Sequence, residues 1–161
     1  MTDASKPGYL FVLPWALNSP GGVNQVVMNL YRECEREGQF DPYILIMDWA
    51  SPEPELRVED GFKCIHLRVA APADAGVTLG GVGGFLRRLP SALWRLRDVL
   101  AKYDVRVINA HYPTLSVYHF TLMRRLGMLG NRRLVFSFHG LDVRNAARRT
   151  GLEGWLFRGS L

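Results

Sequence analysis

Short apolar runs that alternate with amphipathic helical patterns predict an α/β fold, a doubly wound parallel sheet flanked by helices. Three observations carry that reading. The strand-like runs are apolar at consecutive positions, as in strands covered on both faces. The segments between them repeat apolar residues at helical spacing. The first strand also passes into the first helix through a glycine pair, Gly21-Gly22. Of 161 residues, 48% are hydrophobic and 22% charged, a balance that supports one domain with a core and excludes disorder.

Tyr9 to Leu13 is the first strand. Val23, Val26, Val27, Leu30 and Cys34 then fall at the spacing of an apolar face in a helix that Gly38 closes. Tyr43 to Met47 is a second strand, entered through Asp41 and Pro42. Ser51 to Gly61 is polar and interrupted by proline, and is expected to be a surface connection. A short strand follows at Lys63 to Arg68, with His66 as a packed or edge residue within it. Ala70 to Gly84 holds Gly76, Gly80, Gly81, Gly83 and Gly84 and is expected to be a long loop.

Leu86, Leu89, Leu93, Leu96 and Leu100 recur at helical spacing, with Pro90 required either to open that helix or to kink it. Val105 to Ala110, a helix over Leu115 to Leu126 that holds a structural His119, and a strand over Leu134 to Phe138 complete the Rossmann-like pattern.

Composition narrows the partners. The net charge of +5 favours anions. Neither an RNA-recognition signature nor zinc-finger spacing occurs, so nucleic acid is not an expected partner. Cys34 and Cys64 have neither metal-ligand spacing nor the density of a disulfide scaffold, which suits a reducing, cytoplasmic setting. Pro7 to Tyr31 carries no charge, but Pro14, Pro20 and the glycines break it, so it reads as buried strand and loop rather than as a signal or membrane segment. The helix spanning Phe85–Lys102 sets Trp94 among Arg87, Arg88, Arg95 and Arg97. Two readings stay open for it: leucines on the sheet with arginines in water, or peripheral contact with an anionic membrane.

In a doubly wound sheet, ligands bind beyond the carboxyl ends of the strands. That rule selects Pro14 to Gly22, then His111 and Tyr112, then His139 to Asp142. At Gly21 and Gly22 two readings stay open, a tight turn into the helix or a phosphate site on its uncapped amides. The spacing fits neither a dinucleotide fingerprint nor a P-loop. No acidic pair at the strand ends suggests a metal, and none is expected.

These segments, taken in order, resemble the amino-terminal domain of a family-4 glycosyltransferase, a retaining enzyme of the two-domain GT-B architecture. The likeness runs through Gly21 to Leu30, Arg36 to Phe40, Tyr103 to His111 and Val135 to Asp142. It implies that Gly21 and Gly22 approach the donor diphosphate and that His139 is catalytic, lining the centre beside the transferred sugar. It also implies that His111, Tyr112, Asp142 and Asn24 bind acceptor or sugar.

The same resemblance implies transfer of a hexosyl group from a nucleotide sugar to a glycan, lipid or small-molecule acceptor. It makes residues 1–161 a single acceptor-side domain, a fragment lacking the carboxyl-terminal domain that binds the nucleotide sugar, and expected to be inactive alone. Gln39 departs from the histidine often found there, at a place remote from the chemistry. The alternative is a non-catalytic sugar- or anion-binding module of the same fold.

Overall fold

The computed structural model describes residues 6–48, 50–69, 79–113, 117–140 and 144. They form β1 (Gly8–Leu13), α1 (Gly22–Glu37), β2 (Asp41–Met47), β3 (Glu55–Glu59), β4 (Phe62–Leu67), α2 (Leu79–Lys102), β5 (Val105–His111), α3 (Tyr118–Arg125) and β6 (Arg133–Ser137). The strands make one six-stranded sheet in the order β3-β4-β2-β1-β5-β6. β1 pairs in parallel with β2 and β5, β2 with β4, and β5 with β6; β3 alone is antiparallel.

Alternation along the central strand explains why it is apolar throughout. Leu10 and Val12 enter a core with Leu45, Ile65, Ile108, Phe120 and the α2 residues Leu93, Leu96 and Leu100. Phe11 and Leu13 enter a second core with Val27 and Tyr31 of α1 and with Ile44, Ile46, Phe62 and Cys64. Period-two side chains thus bury both sheet faces, as a parallel sheet requires. Gly38, at φ 71°, ends α1 by donating its N–H to the carbonyl of Cys34.

Two expectations need correction. The connection expected over Ser51 to Gly61 contains β3, whose residues alternate Glu, Leu, Arg, Val, Glu, with Leu56 and Val58 exposed on the sheet edge. The signal was Asp60-Gly61, whose φ values of 49° and 85° make the two-residue turn that joins β3 to β4. The loop expected over Ala70 to Gly84 also ends early. α2 begins at Leu79 and takes in Gly80, Gly81, Gly83 and Gly84, while residues 70–78 lie outside the described residues. Pro90 sits inside this helix rather than at its first turn, so its missing N–H leaves one intrahelical bond unmade.

At the amino end of β1 the packing leaves no room for a side chain. A Cβ added to Gly8 would meet the carbonyl oxygen of Tyr103 at 2.4 Å and the Cα of Val105 at 3.2 Å. The Gly8 N–H also donates to the Asp104 carbonyl at 2.9 Å, so the strand cannot retreat without losing that bond. Gly8→Ala should therefore destabilise the fold by about 1–3 kcal/mol, the usual cost of overpacking against backbone. Urea unfolding of the two proteins tests this, and equal midpoints would show that the strand end yields freely.

Candidate active site

Strand order reverses between β1 and β5, since the chain builds outward from β1 to one side and then crosses to the other. In doubly wound sheets the loops leaving such neighbours diverge, and ligands bind in the crevice between them at the carboxyl ends. Residues that follow β1, β5 and β6 therefore meet in one place.

After β1 the loop is held from within by Asn24 of α1. Its Nδ2 donates to the carbonyls of Leu17 and Ser19, each at 2.8 Å, and of Ala16 at 3.2 Å. Its Oδ1 accepts the indole N–H of Trp15 at 2.7 Å. Leu17 anchors the same loop in the core against α1. Trp15 sets its ring edge-on to Tyr112, 5.1 Å between centroids, which ties the loop after β1 to the end of β5.

The loop delivers Gly21 and Gly22 to the start of α1, where both are exposed. Gly21 has an extended φ of 166°, α1 has no side-chain cap, and its first turn carries no acidic residue. A Cβ built on either glycine meets no atom within 4 Å. Neither backbone conformation nor crowding inside the chain demands glycine here; what the pair provides is open approach to the first amides of α1.

His111 ends β5, opposite Ser137 of β6. It is 1% exposed, with the Phe11 ring 5.9 Å away. Its Nδ1 lies 3.0 Å from Nε2 of His139. Burial first, and the His139 ring second, push the His111 pKa down to about 4, so it is neutral at neutral pH. A polar chain lies beside it: Ser137 Oγ donates to Asn109 Oδ1 at 2.8 Å, and Asn109 Nδ2 donates to the Tyr9 hydroxyl at 3.3 Å. Tyr112 then turns the chain with a left-handed φ of 52°, held by its N–H on the Ser137 carbonyl at 3.0 Å.

The structure thus brings Gly21, Gly22, His111, Tyr112 and His139 to one edge of the sheet. Asp142 lies outside the described residues. Asn24 and His111, expected against acceptor or sugar, are buried at 2% and 1% exposure. Hydrogen bonds within the chain engage both atoms of the Asn24 carboxamide and Nδ1 of His111. Both are packed into the frame at the strand ends rather than exposed there.

Trp15, Asn109 and Ser137 were missed; a polar Asn109 within an apolar strand and a tryptophan in the loop after β1 were the available signals. Outside the site, His66 lies packed between carboxylates, Nδ1 at 2.9 Å from Asp48 Oδ2 and Nε2 at 2.7 Å from Glu59 Oε1. Among the described residues no group of three or more His, Cys, Asp or Glu is placed to hold a metal ion, and no helix is long and apolar enough to cross a membrane.

Comparison with known proteins gives one family and one fold. The model of the family described as Glycosyltransferase Family 4 matches residues 20–160. Among solved structures, sucrose-phosphate synthase from Thermosynechococcus elongatus is similar, with a TM-score of 0.62 and 16% sequence identity over 97% of this chain. At that identity the likeness bears on fold alone. This chain spans 40% of the length of that one. No curated protein matches.

The depressed His111 pKa fixes a pH dependence. Between the ordinary 6.5 and about 4, the unfolded chain binds a proton that the folded chain refuses, so stability falls as pH drops through that window and is unaffected by this group above it. Unfolding free energies should decline more steeply from pH 6.5 to 4 in the native protein than in His111→Phe, by up to roughly 3 kcal/mol. Parallel profiles would contradict a neutral, buried His111.

Proposed function

The chain belongs to glycosyltransferase family 4 and has the Rossmann-like fold of one half of a GT-B transferase; from that premise we propose that it is the acceptor-side domain of an enzyme that moves a hexosyl group from a nucleotide sugar to an acceptor with retention of anomeric configuration. One observation carries this reading. The open, uncapped start of α1 and the His111–His139 pair follow strands that lie side by side, β1, β5 and β6.

The chemistry follows from what each group offers. As the glycosidic bond to the diphosphate breaks, negative charge grows on the leaving oxygen. Backbone amides at Gly21, Gly22 and Val23, reinforced by the helix dipole, are donors suited to that charge and need no reorganisation to meet it. The missing side chains at Gly21 and Gly22 let the phosphates approach. His139 hydrogen-bonds a hydroxyl of the transferred sugar and fixes its orientation, a contribution of geometry rather than of nucleophilic attack.

Tyr112 and Asp142 serve the acceptor. Asn24 and His111 act one step back, the first by fixing the glycine loop and the second by holding His139. In this proposal most nucleotide contacts come from a second domain beyond residue 161, and residues 1–161 alone do not turn over. Free Cys34 and buried Cys64, whose thiol burial pushes up to about 12, fit a cytoplasmic setting.

Peripheral membrane contact rests on α2. Its apolar stripe is spent in the core, but Leu86 and Trp94 remain exposed among Arg87, Arg88 and Arg97, with the Arg97 guanidinium 4.8 Å over the Trp94 ring. Arg95 is taken up by Glu53. An anionic surface complements this face.

Two experiments decide these points. In the complete enzyme, His139→Ala should cut turnover of a nucleotide sugar by at least about a hundredfold while the far-ultraviolet circular dichroism stays native; near-normal turnover would remove His139 from the centre. Substituting Arg87, Arg88, Arg95 and Arg97 together by glutamine should abolish co-sedimentation with vesicles containing anionic lipid. If the unsubstituted protein never sediments with them, membrane contact is not a property of this domain.

A further inference from the structure

His139 is one member of a hydrogen-bonded pair, and the pair's geometry constrains where its proton lies. The N···N distance is 3.0 Å, the ring centroids are 5.2 Å apart and the planes are within 25° of each other. The centroid separation is close to the N···N distance plus the two ring radii. The bond therefore runs nearly in the plane of both rings and along the line joining them, the orientation in which an imidazole N–H meets an imidazole lone pair.

Only one proton fits between the two nitrogens, so the pair has two neutral arrangements. If His139 donates, the proton of neutral His111 sits on its own Nε2. That atom is buried and has no partner among the described residues, so a donor would be orphaned, an arrangement that folded proteins seldom tolerate. If His111 donates from Nδ1, what remains at its Nε2 is a lone pair. Burial disfavours an imidazolium at His111 in either case.

We propose that His111 is a positioning residue that sets the tautomer of His139: it donates its Nδ1–H to His139 Nε2, so that His139 holds its own proton on Nδ1. The distal nitrogen of His139 is thereby a hydrogen-bond donor, and its Nε2 is occupied by His111. The frame that holds the pair is rigid. His111 is locked in the β5–β6 ladder opposite Ser137, and Ser137 is fixed two residues before His139 by bonds to Asn109 and Tyr112.

The catalytic consequence rests on the function proposed above. With its Nε2 lone pair engaged, His139 cannot act as a general base through that nitrogen, which leaves it a role of orientation. The tautomer itself does not depend on that reading.

The test is a two-bond nitrogen–proton correlation spectrum of the protein labelled with nitrogen-15 in its four histidine rings, assigned by single substitutions. The expected spectrum has Nδ1 protonated and Nε2 bare at both His111 and His139. His111→Phe keeps a ring and removes the donor, and should shift His139 towards the Nε2-protonated form. His111→Asn restores a donor and should return it.

In the complete enzyme His111→Phe should lower kcat about tenfold, the rate equivalent of one hydrogen bond, and His111→Asn should recover part of it. Protonation of His139 at Nε2 in the native protein overturns the proposal, as does an unchanged His139 tautomer in His111→Phe. Should His111→Phe fail to fold, the native spectrum alone decides. The expected spectra without any sugar transfer would support this assignment while removing the function proposed for the site.

Discussion

The parallel ladder between β1 and β5 is the contact on which the rest of this structure depends. It joins Gly8 to Val105 and then, past an irregularity after Gly8, runs Tyr9 to Val107 through Val12 to Ala110. Because the chain leaves β1 for one side of the sheet and returns for β5 on the other, this ladder is where neighbouring loops part. The crevice is a consequence of topology, and the residues beyond Leu13 and His111 inherit their positions from it. The same ladder explains Gly8, where the incoming strand presses on the turn between α2 and β5 and leaves no room for a Cβ.

At the carboxyl ends of β1 and β5, residues form two layers, one exposed and one buried. Gly21 and Gly22 stand in front, open to solvent. Behind them Asn24 and His111 are buried, and their hydrogen bonds turn inward to the chain. Buried polar groups of this kind must be partnered, and a partnered group is a rigid one. Asn24 converts a loop of eight residues, 14–21, into a fixed arm. Trp15 on Tyr112 then couples that arm to the end of β5, so the start of α1 and the histidine pair are set relative to each other before any ligand arrives.

Much of this was legible in the sequence because burial on two faces leaves a distinct trace. Leu10 to Leu13 and Tyr43 to Ile46 contain no polar residue, which only a doubly covered strand tolerates. The strand-end rule pointed to the residues after β1, β5 and β6, and Trp15 on Tyr112 and His111 beside His139 show that those strand ends meet. β3 was hidden because an edge strand need not be apolar, and the Asp60-Gly61 turn that marks it lay inside a proline-rich segment. The start of α2 was hidden because four glycines argue locally for loop, whereas the leucines further along fix the helix through the core.

The burial of Asn24 and His111 was not legible for a third reason. A polar residue beside a crevice looks the same in sequence whether it faces the ligand or braces the wall. Only depth separates the two, and depth can be set by residues far away in the chain, such as Phe11 against His111.

The central claim is that a sugar donor meets the start of α1 and the end of β6 in the same crevice. Hydrogen–deuterium exchange of the complete enzyme, with and without a saturating nucleotide-diphosphate sugar, addresses it most directly. Bound donor should slow exchange in peptides covering residues 14–24 and 137–140 and leave β3 and the outer face of α2 unchanged. Turnover of the donor with no protection in either segment would place the chemistry elsewhere and contradict it.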